Sequence, residues 1–485
     1  MLLQSIRNWW WEVFCFAIYL ALSANQLFMR PITGMADNGD FPKVLAPLDV
    51  CAPDRARDVL HYVYPTYVID AGCHWDSRVT SSETLFVEIL KQATLWNGRT
   101  SFSITGAGAA HLCVVLAGLI VLLRALHAAS PVFRFGITPL AILIFSDVTY
   151  VSYLNSFYMD AASMVFLLLT AALAVAAVLR PRAWVAIAYG VAGALLALSK
   201  TQHAVTGFLF AGLAAWFALR GFRDGRRLTA CWWAMSAVAI SAAAALTVVM
   251  TPEDYKAEPL YNLIFYNLLP ASKTPAPAID ELGLPYADLQ YAGTYAYSPG
   301  SPVTTPAWRE DFIREVSYGN LLRYYLHHPS VPLQLVGHSL QYFAPAMRPG
   351  NIANYRREDG FPPDTLAQRF DWWSHQRAWF MWVFPAQLAI LFGLMGTGAL
   401  VCTVRPVWAA RWPLYPAVLA LVASGTVEFL FSVLLDAAET ARHLFLFHVV
   451  TELLIICAMA AVLSLVAGQA CSQKSPLAGT SEDRP

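Results

Sequence analysis

Long apolar runs separated by short polar breaks dominate the chain. Stretches of the length a helix needs to cross a hydrocarbon core, about 17 to 25 residues, occur at 9–29, 106–126, 135–152, 157–179, 183–199, 203–219, 229–249, 379–401, 413–435 and 443–467. The pattern predicts an all-α polytopic membrane protein of about ten transmembrane helices with two large loops. The expected order is a first helix (1–29), a first loop (30–105), a transmembrane core (106–249), a second loop region (250–378), final helices (379–468) and a tail (469–485). Trp9-Trp10-Trp11 reads as the interfacial anchor of a retained first helix. The alternative is a leader cleaved near Ala21-Leu22-Ser23.

In the first loop, Thr80-Ser81-Ser82-Glu83 is a capping box ahead of Leu85, Phe86, Ile89, Leu90, Ala93 and Trp96 at helical spacing. This predicts an amphipathic helix, lying on the membrane surface or packed in a small loop domain, with Glu88, Lys91 and Gln92 facing water. The second loop opens with Pro, Tyr and Asn-rich sequence, 251–300, which predicts irregular structure. Helices follow over 312–326 and 331–343, separated at His327-His328-Pro329.

The composition, 57% hydrophobic and 13% charged, excludes an ordinary soluble domain. The zero formal charge conceals an asymmetry. Arg124 and Arg134, Arg180 and Arg182, Arg220, Arg223, Arg226 and Arg227, then Arg405 and Arg411 fall in alternate short connections. The positive-inside rule therefore places the N- and C-termini in the cytoplasm and both large loops on the exoplasmic face. There, Cys51 and Cys73 are free to form a disulfide. The lack of a phosphate-cradling glycine loop argues against ATP-driven work, and the lack of a basic soluble domain argues against nucleic acid as a partner.

Acids cluster where helices leave the membrane: Asp37 and Asp40 in Asp37-Asn38-Gly39-Asp40-Phe41-Pro42, then Asp147 and Asp160. Asp-Asn-Gly-Asp is also a turn signal. Cations on the same side are Lys200 and His203 in Lys200-Thr201-Gln202-His203, Arg348, and Arg442 close after Glu439. Group transfer from a lipid-borne phosphate to a hydroxyl needs a base, cations for the departing phosphate and a place for the lipid. Asp40 and Asp37 are the candidate bases, and Lys200, His203, Arg442 and Arg348 the candidate phosphate ligands. Asp147 and Asp160 are supporting acids. Two acids can hold a divalent metal, but none is indicated, because His327, His328 and His338 have no carboxylate at ligand spacing.

With Asn38-Gly39-Asp40-Phe41, Tyr153-Leu154-Asn155-Ser156-Phe157-Tyr158, Lys200-Thr201-Gln202-His203, Asn262-Leu263-Ile264-Phe265-Tyr266, Glu281-Leu282-Gly283-Leu284-Pro285, His328-Pro329 and Arg348-Pro349-Gly350-Asn351, the chain resembles the GT-C superfamily of membrane glycosyltransferases, in particular a bacterial branch associated with surface-glycan hexose transfer. The resemblance implies a GT-C-like fold in the bacterial inner membrane and a polyprenyl-phosphate sugar as donor substrate, with no cofactor named. It also implies a cell-envelope glycan or lipid-linked acceptor, contact with membrane lipid, and a catalytic carboxylate at Asp40 or Asp37. Asp160 departs from the pattern, standing where glutamate is the commoner acid. One rival is a glycan polymerase or ligase working on a lipid carrier. Another is a transporter or flippase for a lipid-linked saccharide, which the missing inverted repeat disfavours and for which Glu12, Glu428 and Glu452 are the acids to watch. A third is a non-catalytic scaffold.

Overall fold

The computed structural model describes residues 2–53, 60–73, 79–127, 131–179, 181–436 and 438–473. Arg180 and tail residues 474–485 lie outside that set. The chain begins α1 (Leu2–Phe28), α2 (Phe41–Leu45), α3 (Glu83–Trp96), α4 (Ile104–His127), α5 (Pro131–Phe145), α6 (Val148–Leu154), α7 (Met159–Leu179), α8 (Ala183–Ala197), α9 (Ala204–Arg223) and α10 (Arg227–Val249). Three further apolar helices close the bundle at Ala386–Val404, Tyr415–Leu434 and Phe445–Gln473.

Among the described residues, eight helices are long and apolar enough to span a membrane, and α5 with α6 would make a ninth. Two of the ten expected spans therefore differ from a simple crossing. The run at 135–152 bends by 63° between α5 and α6. The cause is Asp147, whose carboxylate accepts from the Thr149 amide at 2.9 Å, capping α6, and from the Ser374 amide at 2.8 Å. The run at 183–199 ends at Ala197, giving a helix of 15 residues. At 1.5 Å per residue that is about 22 Å, well short of a hydrocarbon core of about 30 Å. A smaller shift affects the span expected at 379–401. It starts at Ala386, after Phe384 and Pro385 end a separate helix, Trp372–Val383.

Helix α7 is buried on most of its faces and packs against α4 and α8. Its N-terminus is fixed by Asn155, which donates to the carbonyls of Leu27 at 3.0 Å and Thr33 at 2.8 Å, so the end of α1 is tied to the α6–α7 junction. Glycine at 108 makes room for that amide: a Cβ there would come within 2.0 Å of Asn155 Oδ1. Gly108→Ala is expected to lower stability by roughly 1–3 kcal/mol, the usual cost of overpacking, read as a drop in the thermal unfolding midpoint of purified protein.

The first loop is not wholly helical. Strands β1 (Val50–Cys51), β2 (Thr66–Ile69) and β3 (Ser101–Ser103) form an antiparallel sheet in that order, with Val50 opposite Ile69 and Tyr67 opposite Phe102. A disulfide joins Cys51 to Cys73, with Cα atoms 5.7 Å apart. The amphipathic helix forms as α3, but without the capping box. Ser81 Oγ accepts from the Glu83 amide at 3.1 Å, while the Glu83 carboxylate turns inward to His111 Nε2, also at 3.1 Å. Phe86 and Val87 pack inward, whereas Leu85, Ile89 and Trp96 are exposed, an apolar stripe suited to a lipid surface.

The second region has its own core, including Tyr261, Phe265, Phe312, Leu321 and Tyr324. Its opening stretch is more helical than expected. Glu253–Tyr261 is an α-helix that widens into a π-turn over Asn262–Leu268. The helix expected over 312–326 is two helices, Pro306–Glu315 and Tyr318–His327, because Ser317 is extended and caps the second by accepting from the Asn320 amide at 3.1 Å.

Candidate active site

At the loop end of the bundle, Asp37 shapes the chain leaving α1. Its Oδ1 accepts from the amides of Gly39 at 2.8 Å and Phe41 at 3.1 Å, and Gly39 takes φ +102°, a conformation that suits glycine. The turn presents Asp40 at the N-terminus of α2. Lys43 Nζ lies 2.9 Å from Asp40 Oδ1 and Arg442 Nη1 lies 2.6 Å from Asp40 Oδ2, so each carboxylate oxygen faces a cation. Asn38 completes the turn: its amide donates to Tyr158 Oη at 3.0 Å and its side chain to Glu439 at 2.6 Å.

Beneath Asp40, the short α8 lets the Lys200–His203 connection sit at a buried level. Lys200 Nζ donates to both oxygens of Asp160, at 3.2 and 3.4 Å, and its side chain is only 5% exposed. His203 lies between two acids, with Nδ1 2.9 Å from Glu428 and Nε2 3.7 Å from Asp160. Glu428 also accepts from Gln202 at 3.1 Å and Thr206 at 2.6 Å. Arg442 links the two levels: besides Asp40 it reaches Glu439 at 2.8 Å and Asp160 at 3.8 Å, and its guanidinium lies 5.3 Å from the Tyr158 ring centre.

Thus the first loop, α7, the α8–α9 connection and the segment ahead of Phe445–Gln473 bring Asp37, Asp40, Asp160, Lys200, His203 and Arg442 together. The electrostatics follow from burial. Desolvation alone would raise Asp40, but the adjacent Lys43 and Arg442 hold its carboxyl far below the ordinary value. In turn Asp40 holds Lys43 and Arg442 well above theirs, against the effect of burial. Burial pushes Asp37 up to about 6, in spite of the Phe41 and Gly39 amides.

These shifts act on stability with opposite signs. Asp40 titrates lower when folded, so its contribution is present above 3.8 and lost as pH falls below that value. Asp37 titrates higher when folded, so its contribution is present below 3.8 and lost as pH rises through about 6. Asp37→Asn keeps an oxygen for the two amides but removes the ionisation. The variant is expected to keep the hydrogen-bonded turn and so leave Asp40 in place. It should also lose less stability than wild type between pH 4 and 7, read from unfolding midpoints across pH.

Two sequence candidates stand apart from this cluster. Asp147 caps α6 and holds Trp372–Val383, as described above. Arg348 donates to the Ala367 carbonyl and lies 3.6 Å from Asp371, so it ties together two stretches of the second region and does not join Lys200. The cation on the Asp40 side that sequence reasoning passed over is Lys43. Its signal was available as the i,i+3 partner of Asp40 at the start of a helix. The other acids inside apolar runs are partnered: Glu12 by Arg134 and His127 at the opposite end of the bundle, and Glu452 by Arg377 and Tyr150. Glu281 joins His327 at 2.6 Å and His328 at 2.7 Å. Even so, among the described residues no group of three His, Cys, Asp or Glu is arranged to hold a metal.

The apolar helices and their buried charge cluster define an all-α polytopic membrane protein whose polar centre lies at one end of the bundle. Residues 5–480 match the YfdI N-terminal transmembrane domain, and the chain belongs to that family. Comparison with curated proteins and with solved structures gives no match.

Proposed function

We propose that the protein is a membrane glycosyltransferase that moves a hexose from a polyprenyl-phosphate donor to a cell-envelope glycan acceptor on the exoplasmic face, with inversion at the anomeric carbon. The observation that carries this reading is Asp40, a carboxylate held between Lys43 and Arg442 with Lys200 below it at the mouth of a membrane bundle. Family membership and the alternation of arginine-rich connections are compatible with it. The transporter reading gains no support from Glu12, Glu428 or Glu452, since each is engaged by neighbouring side chains.

In this mechanism the acceptor hydroxyl oxygen bonds to the anomeric carbon as the carbon–oxygen bond to phosphate breaks. The bonding pair goes to the phosphate oxygen, and the hydroxyl proton goes to Asp40. Charge grows on the phosphate as it leaves, so Lys43, Lys200 and Arg442 bind the transition state better than the bound donor. While Lys43 and Arg442 rest on Asp40 it is a weak base. A donor phosphate that draws them away strengthens it, so acceptor activation follows donor binding.

The test is transfer of radiolabelled sugar from a panel of polyprenyl-phosphate hexoses by the purified full chain, with membrane glycan as acceptor. Transfer from one donor supports the reading. Absence of both binding and transfer across the panel overturns it.

A further inference from the structure

From Asp40 the charged cluster leads outward to a row of exposed tyrosines. Lys43 Nζ lies 3.6 Å from Glu258 and 5.2 Å from the centre of the Tyr255 ring. Tyr297 Oη donates to Glu258 at 2.6 Å. The Tyr297 ring is 6.2 Å from that of Tyr295, which is 6.1 Å from that of Tyr266, with interplanar angles of 67° and 65°. Tyr297, Tyr295 and Tyr266 are 59%, 42% and 50% exposed.

The row is held in place. The Ala296 amide donates to the Asn262 side chain at 2.7 Å, the Gly293 amide to the Phe265 carbonyl at 2.7 Å, and the Tyr295 amide to Ser298 Oγ at 3.0 Å. Ala296 itself is fully buried, so the tyrosines on either side of it project from a fixed backbone.

We propose that Tyr266, Tyr295 and Tyr297 form the acceptor subsites, binding a carbohydrate chain whose sugar rings rest on the aromatic faces while its terminal hydroxyl reaches Asp40. The inference rests on the reading of the Asp40 cluster as a transfer site. A sugar ring offers an apolar C–H face edged by hydroxyls, and tyrosine offers an aromatic face with a polar tip. Tyrosines of a membrane belt mark the rim of a bundle at headgroup level. Here three rings in successive edge contact lead to Glu258, which shares Lys43 with Asp40. Rigid aromatic rings on a fixed backbone also lose little conformational freedom when a ligand binds.

The test uses the full chain in lipid nanodiscs. The probe is a set of oligosaccharides released from the surface glycan of the cells that make the protein. Saturation-transfer NMR compares wild type, Tyr295→Ala and Tyr295→Phe. Wild type and Tyr295→Phe are expected to bind the fragments alike, and Tyr295→Ala about tenfold more weakly, the loss of one aromatic face. Equal binding by Tyr295→Ala, or no binding of any fragment by wild type, overturns the subsites. Tyrosine-dependent binding without sugar transfer would sustain the subsites and sink the transferase reading. Transfer with an unchanged acceptor KM in Tyr295→Ala would do the reverse.

Discussion

Asp40→Asn is expected to cut kcat for sugar transfer about a hundred- to ten-thousand-fold, the range for losing a general base, while donor affinity holds or rises. Asparagine keeps the shape of the side chain, and its carbonyl oxygen can still accept from Lys43 or Arg442. The negative charge is gone, so both cations become freer for the donor phosphate. The two effects separate in one experiment that measures donor binding and single-turnover transfer on the same preparation. A variant with normal turnover and weakened donor binding would recast Asp40 as an anchor for Lys43 and Arg442.

Arg442→Gln is expected to act on both catalysis and folding. Removing a cation aimed at developing charge costs roughly 2–4 kcal/mol of transition-state stabilisation. Arg442 is also the shared partner of Asp40, Glu439 and Asp160. Breaking a buried pair by deleting one member typically costs about 3–5 kcal/mol, because the remaining charge stays desolvated. The unfolding midpoint should therefore fall together with kcat/KM. Arg442→Lys retains the charge but loses the planar fork that spans Asp40 and Glu439, and is expected to recover stability more fully than turnover. If Arg442→Gln lost stability alone, Arg442 would be a strut of the fold with no part in the reaction.

Much of the fold was legible because membrane helices announce themselves by length and hydropathy. One departure from the ten-span reading comes from a residue whose role is settled partly by a distant partner. Asp147 caps α6 through the nearby Thr149 amide, but its other oxygen is held by the amide of Ser374, far along the chain. The sheet in the first loop escaped notice because strands of two to four residues show no clear alternation. Glu83 satisfied the capping-box pattern, yet His111 on a neighbouring helix competed successfully for its carboxylate.

The same holds at the site. Asp40, Asp160, Lys200 and Arg442 could be picked out one by one as charges near helix ends. That they form one network, with Glu428 beneath and Glu258 beside it, depends on the packing of α7, α9 and Tyr415–Leu434, for which no local signal exists. Arg348 stood beside Arg442 among the candidate phosphate ligands, and its contacts with Ala367 and Asp371 separate the two.

The 15-residue α8 gives the protein an uneven hydrophobic thickness. Its Trp184, Ile187 and Val191 are exposed on the outside of the bundle, so lipid meets the short helix directly. A bilayer adapts to such mismatch by thinning locally, at a modest cost per ångström. Headgroups beside α8 would then settle closer to the bilayer midplane than elsewhere around the molecule. On the proposed function, a lipid-phosphate donor arriving along that edge would carry its phosphate closer to the depth of Lys200 before leaving the bilayer, with less hydration to shed on entering the site.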